Sequence, residues 1–147
     1  MKGITLLVED PNWRSHRGLA ARLTKAAEAA RRAARLKSPF TILLAGDREL
    51  RALNHDFRGF DKATNVLSFP GGEGYAGDIA IAYGVTKKEA RAAAKSLADH
   101  ATHLVVHGVL HLAGYDHQRP KDAQVMEPLE VKILGRLGIA DPYRAAR

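Results

Sequence analysis

Short apolar runs alternate along this chain with longer stretches in which apolar residues recur every three or four positions. Ile4 to Val8 and Phe40 to Ala45 have the length and branched-residue content of strands, the second one buried. Between them a long Ala-rich helix is expected from about Asn12 to Lys37, with Leu19, Leu23, Ala26, Ala27 and Ala30 on its inner face. Ser38-Pro39 ends it, because the proline ring disfavours the helical conformation in the residue before it. Asp47 is placed to cap a short helix that reaches Asn54 or Asp56. Asn65 to Phe69 and Asp78 to Tyr83 predict two more strands, joined through the turn-rich Pro70-Gly71-Gly72-Glu73-Gly74. Thr86-Lys87-Lys88-Glu89 has the form of a capping box and predicts a helix running to about Leu97. Two further helices are expected, over about Ala98 to Ala113 and Asp122 to Leu137. The pattern therefore predicts a mixed α/β (α+β) fold, a single domain over residues 1–147 with about four strands against about five helices.

Composition narrows the chemistry. With 46% hydrophobic and 27% charged residues the chain has the balance of a soluble globular protein. It contains no cysteine, so any metal must be held by His, Asp or Glu, and the absence of disulfides fits a cytoplasmic location. No stretch approaches the roughly 20 apolar residues of a membrane span, and the first residues are too short an apolar run for a signal peptide. The net charge of +7 is unevenly spread. Residues 13 to 37 carry eight basic side chains, from Arg14 to Lys37, against the single acid Glu28, and so account for all of it. Such a stretch suits a polyanion such as RNA, and equally suits a solvated helix face.

The most informative segment is His107-Gly108-Val109-Leu110-His111-Leu112-Ala113-Gly114-Tyr115-Asp116-His117. The helix leading into it is apolar nearly all round, as a buried helix is. Yet it carries His100, His103, His107 and His111, which at ~100° per residue fall within an arc of about 80°. Buried imidazoles need partners, and a metal satisfies several at once. Gly114 is a natural helix stop, and His117 lies three residues beyond it, able to return by at most ~10 Å. His111 and His107 sit about 4.5 and 10.5 Å back from Gly114 along the axis, and His103 about 16.5 Å back, beyond the reach of a shared ion. The predicted ligands are therefore His107, His111 and His117, with His103 a core histidine bonded to backbone or behind a ligand. His16, His55 and His100 have no comparable geometry and read as surface or structural.

Three neutral imidazoles suit one zinc ion (Zn2+) per chain, with nickel, cobalt or copper able to substitute. Three protein ligands leave a position open, as catalytic zinc sites do. Asp116 could close that position and make the site structural, although ligation beside His117 is awkward. The spacing also matches the zinc-protease pattern except at one place: the glutamate that acts as general base there is Gly108 here. Peptide hydrolysis without that base is disfavoured, while zinc can still activate water or polarise a phosphoryl oxygen. The missing base and the basic stretch both point to a nucleic acid.

This histidine segment resembles the signature of the YbeY family of bacterial rRNA-maturation endoribonucleases. Leu53-Asn54-His55-Asp56-Phe57-Arg58, Asp61 and Thr64-Asn65-Val66-Leu67-Ser68-Phe69-Pro70 agree with a second block of that family, and Gly77-Asp78-Ile79 with a third. The resemblance spans roughly residues 40 to 138. It implies a cytoplasmic, zinc-dependent endoribonuclease acting on single-stranded RNA, in maturation of the small-subunit rRNA end and in ribosome quality control, with the ribosome or its proteins as partners. It carries the zinc ligands to His107, His111 and His117 and a functional arginine to Arg58, whose planar fork can clamp a phosphate. Asp116 and Asp78 are weaker candidates: Asp116 can orient an imidazole, and Asp78 can equally pair at a strand edge. Ala63 stands where a proline is usual and Asn65 where aspartate is frequent, so no general base is assigned at 65. A zinc hydrolase of another class and a non-enzymatic ribosome-binding module with structural zinc are the alternatives.

Overall fold

The computed structural model describes residues 3–58, 64–115 and 120–143, apart from the side chains of residues 57 and 58. Strand β1 (Ile4–Val8) is followed by a short 3-10 helix (Pro11–Ser15), helix α1 (Leu19–Ala33), strand β2 (Phe40–Ala45) and helix α2 (Asp47–Arg58). Strands β3 (Val66–Pro70) and β4 (Gly77–Ala82) come next, then helices α3 (Tyr83–Ala92), α4 (Leu97–Leu112) and α5 (Pro120–Arg136). The sheet order is β1-β2-β4-β3. β1, β2 and β4 run parallel, Ile42 lying between Leu6 and Ile79, and β3 pairs antiparallel with β4 at the edge. The expected α+β architecture forms, with four strands and five α-helices among the described residues.

Side-chain alternation along the central strands divides the core in two. Phe40, Ile42, Leu44, Ile79 and Ile81 face the larger layer, where they meet Leu23, Ala26, Ala27 and Ala30 of α1 and Val105, Val109 and Leu110 of α4. Ala45, Ala80 and Ala82 point the other way, to Leu50 of α2. Alanine on α1 lets that helix lie close, and the inner face predicted from its periodicity is buried throughout. α4 lies tight against the sheet at Gly108, where an added Cβ would stand 2.7 Å from Ile79 Cγ2.

Three local expectations are corrected. The helix expected from Asn12 to Lys37 is interrupted at Gly18, which takes φ +75°. Before it, Trp13 is buried in the 3-10 turn and its Nε1 donates to the Ala45 carbonyl at 2.8 Å. The helix also stops short of Pro39. Arg35 adopts φ +57°, and Leu36 N–H returns to the Arg31 carbonyl at 2.9 Å, closing the end as a Schellman turn. A left-handed L-residue costs about 1–2 kcal/mol, and packing the partly buried Leu36 on the core works against that cost.

The capping box is the third correction. α3 begins at Tyr83, so Thr86 lies inside the helix, fully buried. The N-terminus is capped from a distance instead: Asp47 Oδ1 accepts from Val85 N–H at 2.9 Å, rather than serving its own helix α2. Glu89, released from the box, accepts from Asn65 Nδ2 and meets His100 Nε2, each at 2.9 Å, and so ties the start of β3 to α4.

Candidate metal centre

α4 is held at both ends by its own sequence. Ser96 Oγ accepts from Asp99 N–H at 3.0 Å at the start. At the finish Gly114 takes φ +103°, Gly114 N–H bonds the His111 carbonyl and Tyr115 N–H the Leu110 carbonyl, both at 3.0 Å. This Schellman turn needs the left-handed residue that glycine supplies, and it turns the chain out of the helix after Ala113, so that His111 lies in the last turn of α4. The four histidines form the expected stripe, with successive ring centroids 6.1, 6.3 and 5.9 Å apart from His100 to His111.

What the stripe faces was not foreseen. Glu130 of α5 is fully buried against it. Its Oε2 pairs with His103 Nε2 at 2.8 Å and with the Tyr143 hydroxyl at 2.9 Å, and its Oε1 pairs with His107 Nδ1 at 3.1 Å. Burial pushes the carboxyl up, but the hydrogen bonds from His103 and His107 outweigh it and hold the group at about 2. Glu130 is thus a carboxylate, an acceptor only, and both ring nitrogens facing it carry the proton. Tyr143 closes the group from the C-terminal side, its ring set edge-on to His103 at 5.7 Å, and burial followed by the Glu130 charge raises its phenol well above the usual range.

These contacts fit an imidazole-bound metal. A proton fixed on Nδ1 of His107 leaves the lone pair on Nε2, the atom through which it would bind, and His111 follows one turn later. His117 and Asp116 lie outside the described residues, and among the described residues no group of three potential ligands assembles. Arg58 is the last residue of α2, and its side chain is likewise outside them. Asp78 is not brought to the stripe. Strand alternation sets it on the α2 side of the sheet, level with Thr41, where it accepts from the Tyr75 hydroxyl at 2.5 Å. Burial, then the Asp78 hydrogen bond, raises the Tyr75 phenol.

His103, expected as a core histidine, bonds Glu130, the carboxylate that also meets His107. His16 bonds the Tyr83 hydroxyl at 2.8 Å, His100 bonds Glu89, and His55 is exposed beside Asp56. Asn65 is likewise structural, joined to Glu89. On the basic stretch, Arg31 and Arg32 both bond Glu28, and Arg22 pairs with Asp99. Hydrogen bonding by Arg31 is the largest influence that holds Glu28 below its usual range. A groove of about 490 Å³ between α1 and α5 is lined by Lys25, Arg32 and Arg136 around Ala29 and Ile133.

Glu130 and Tyr143 are the residues that sequence reasoning missed. Glu130 did leave a signal. It sits on the same stripe of α5 as the buried Met126, Ile133 and Leu134, an acid at a core position four helices into a chain whose buried helix carries unpaired-looking histidines.

Known proteins resemble this chain over most of its length. Residues 9–138 match the family model described as Endoribonuclease YbeY. A protein named Endoribonuclease YbeY from Maricaulis maris is 46% identical over 97% of this chain and 92% of its own length. One of the same name from Chelativorans sp. is 49% identical over 86% of this chain and 82% of its own length. The solution structure of TM1509 from Thermotoga maritima superposes with a TM-score of 0.64 at 27% identity, covering 91% of this chain and 88% of that one. With a family match over most of its length and relatives near half identical, this chain belongs to the endoribonuclease YbeY family.

Proposed function

We propose that this member of an endoribonuclease family cuts single-stranded RNA at one zinc ion held by His107, His111 and His117, with Arg58 on the phosphate, in maturation of ribosomal RNA. The observation that carries the metal reading is the His107–Glu130 hydrogen bond next to His111. Two imidazoles stand one turn apart at the end of a buried helix, one of them already oriented by a buried carboxylate. Relatives named as endoribonucleases support the RNA reading. Zinc bound there would supply a positive charge that polarises a phosphodiester and acidifies water.

The protein's own residues divide the remaining work. Position 108, where zinc proteases place their base, packs onto Ile79, so a side chain there has neither the space nor the direction to act on a substrate. Arg58 offers two parallel donors to a phosphate, fixing the backbone of the RNA relative to the histidines. With glycine at the protease base position, the site gains most from a substrate that carries its nucleophile with it, and the RNA 2′-OH is such a group. Single-stranded backbone can bend to bring that hydroxyl in line with phosphorus; a duplex resists this. The cations of α1 and the α1–α5 groove favour the approach of a polyanion. Ribosome association and a cytoplasmic location complete the proposal. No helix among the described residues is long and apolar enough to cross a membrane.

The test is cleavage of matched single-stranded RNA, duplex RNA and DNA by the zinc-loaded chain, with and without chelator. Rapid cutting of single-stranded RNA alone, abolished by chelator and restored by zinc, is expected. Equal cutting of DNA would overturn the RNA specificity, and tight binding with no cutting at full zinc occupancy would make this a binding module.

A further inference from the structure

We infer that Glu130 is a positioning residue for the metal centre, fixing through His107 Nδ1 the tautomer and direction of that ring so that Nε2 is its ligand atom. The inference rests on the metal reading above and adds a residue from a different helix. Its basis is how the two carboxylate oxygens divide their partners. Oε2 takes two hydrogen bonds, from His103 and Tyr143, which lock the plane of the carboxylate; Oε1 is turned to His107. His103 and Tyr143 therefore hold the group that holds the ligand.

A purely structural role explains this cluster poorly. Burying a carboxylate carries a large desolvation cost, and an apolar side chain of similar volume in its place is often neutral or stabilising. Glu130 stands among Met126, Ile133 and Leu134, where such a side chain would pack well. The helix needs no acid there; an oriented imidazole does. Partners of this kind also raise the basicity of the ligand nitrogen, and their loss weakens metal affinity by roughly 10–100-fold. His103, on the same carboxylate but at the other oxygen, serves as the internal contrast, because its ring bonds through Nε2 and presents the opposite nitrogen.

The experiment joins nitrogen NMR of the histidine rings with zinc titration against a competing chelator, on the full chain. In the chelator-treated protein, His107 is expected as the Nδ1–H tautomer. Glu130→Met should release it toward Nε2–H and weaken zinc binding by about 100-fold, with zinc alone as the probe. Glu130→Gln keeps an oxygen for His107 but loses the charge, and should weaken zinc by about tenfold with the tautomer retained. If Glu130→Met does not fold, the wild-type tautomer and the Gln variant still decide. An Nε2–H His107 in the wild type overturns the inference, as does unchanged zinc affinity in Glu130→Gln or in a folded Glu130→Met. Zinc retained by His107→Ala would instead overturn the metal reading itself, and so separates the two failures.

Discussion

α1 and α4 pack against one another over the same face of the sheet, yet they manage their polar groups in opposite ways. α1 satisfies its one buried acid within its own turn: Glu28 is bonded by Arg31 and Arg32, three and four residues on. Its other cations stay at the surface: Lys25 is exposed, and Arg22 pairs with Asp99 at the start of α4. α4 is apolar nearly all round and satisfies its histidines from elsewhere, His100 from α3 and His103 and His107 from α5. A helix whose polar groups answer one another locally is a carrier of surface charge. A helix whose polar groups are met by distant acids is a place where the fold has spent burial on holding side chains still. Under the proposed function, this contrast makes α1 the expected determinant of how tightly and how salt-sensitively RNA binds, and α4 of whether it is cut.

The contrast breaks first, if it breaks, at the ligands. His107→Ala and His111→Ala should each lower RNA cleavage by roughly a thousandfold or more, the loss of several kcal/mol of metal stabilisation, with little change in RNA affinity. Cleavage rates and filter-binding constants measured side by side check this. Next in size is Arg58→Ala, expected to keep zinc and the melting curve but to slow cleavage by about 10²–10³-fold, as the loss of one transition-state donor does.

Along the basic stretch that contains α1 the effect should be of another kind. Removing the exposed Arg17, Lys25 and Lys37 should leave the maximal cleavage rate intact and weaken binding. For every cation that contacts a phosphate, the slope of log affinity against log salt should fall by about 0.7. Arg31 and Arg32 are unsuitable for this test, since reversing them would strand buried Glu28. An unchanged slope in the triple variant would reduce the basic stretch to a solvated face. The smallest effect concerns the end of α1. Arg35→Gly relieves a left-handed L-residue, offset in part by unfolded-chain entropy, and should stabilise the protein by about 0.5–1 kcal/mol in urea unfolding.

The same contrast explains what was legible in the sequence. Periodicity found the buried face of α1, the four strands and the histidine stripe, because each is a repeat within one segment. Gly114 marked the end of α4 because its left-handed turn needs a residue without Cβ. By contrast, α1 ends on Arg35, where nothing local announces a left-handed turn; the deciding term is the packing of Leu36 on a core built by other elements. Thr86-Lys87-Lys88-Glu89 satisfied a local rule and lost to a distant one, because Asp47 caps α3 a turn earlier. Glu130 was missed for the same reason. Its partners lie 23 and 27 residues away, and only the fold sets an acid of α5 against a histidine stripe of α4.

The central claim, that the stripe ends in a metal centre and that His103 stands behind it, is tested most directly by counting zinc. His103 and His107 share one helix, one face and one carboxylate, so fold and burial are matched between them. One zinc per chain is expected in the wild type and in His103→Ala, and almost none in His107→Ala or His117→Ala, by elemental analysis of the folded proteins. A full complement of zinc in His117→Ala, or its loss from His103→Ala alone, would contradict it.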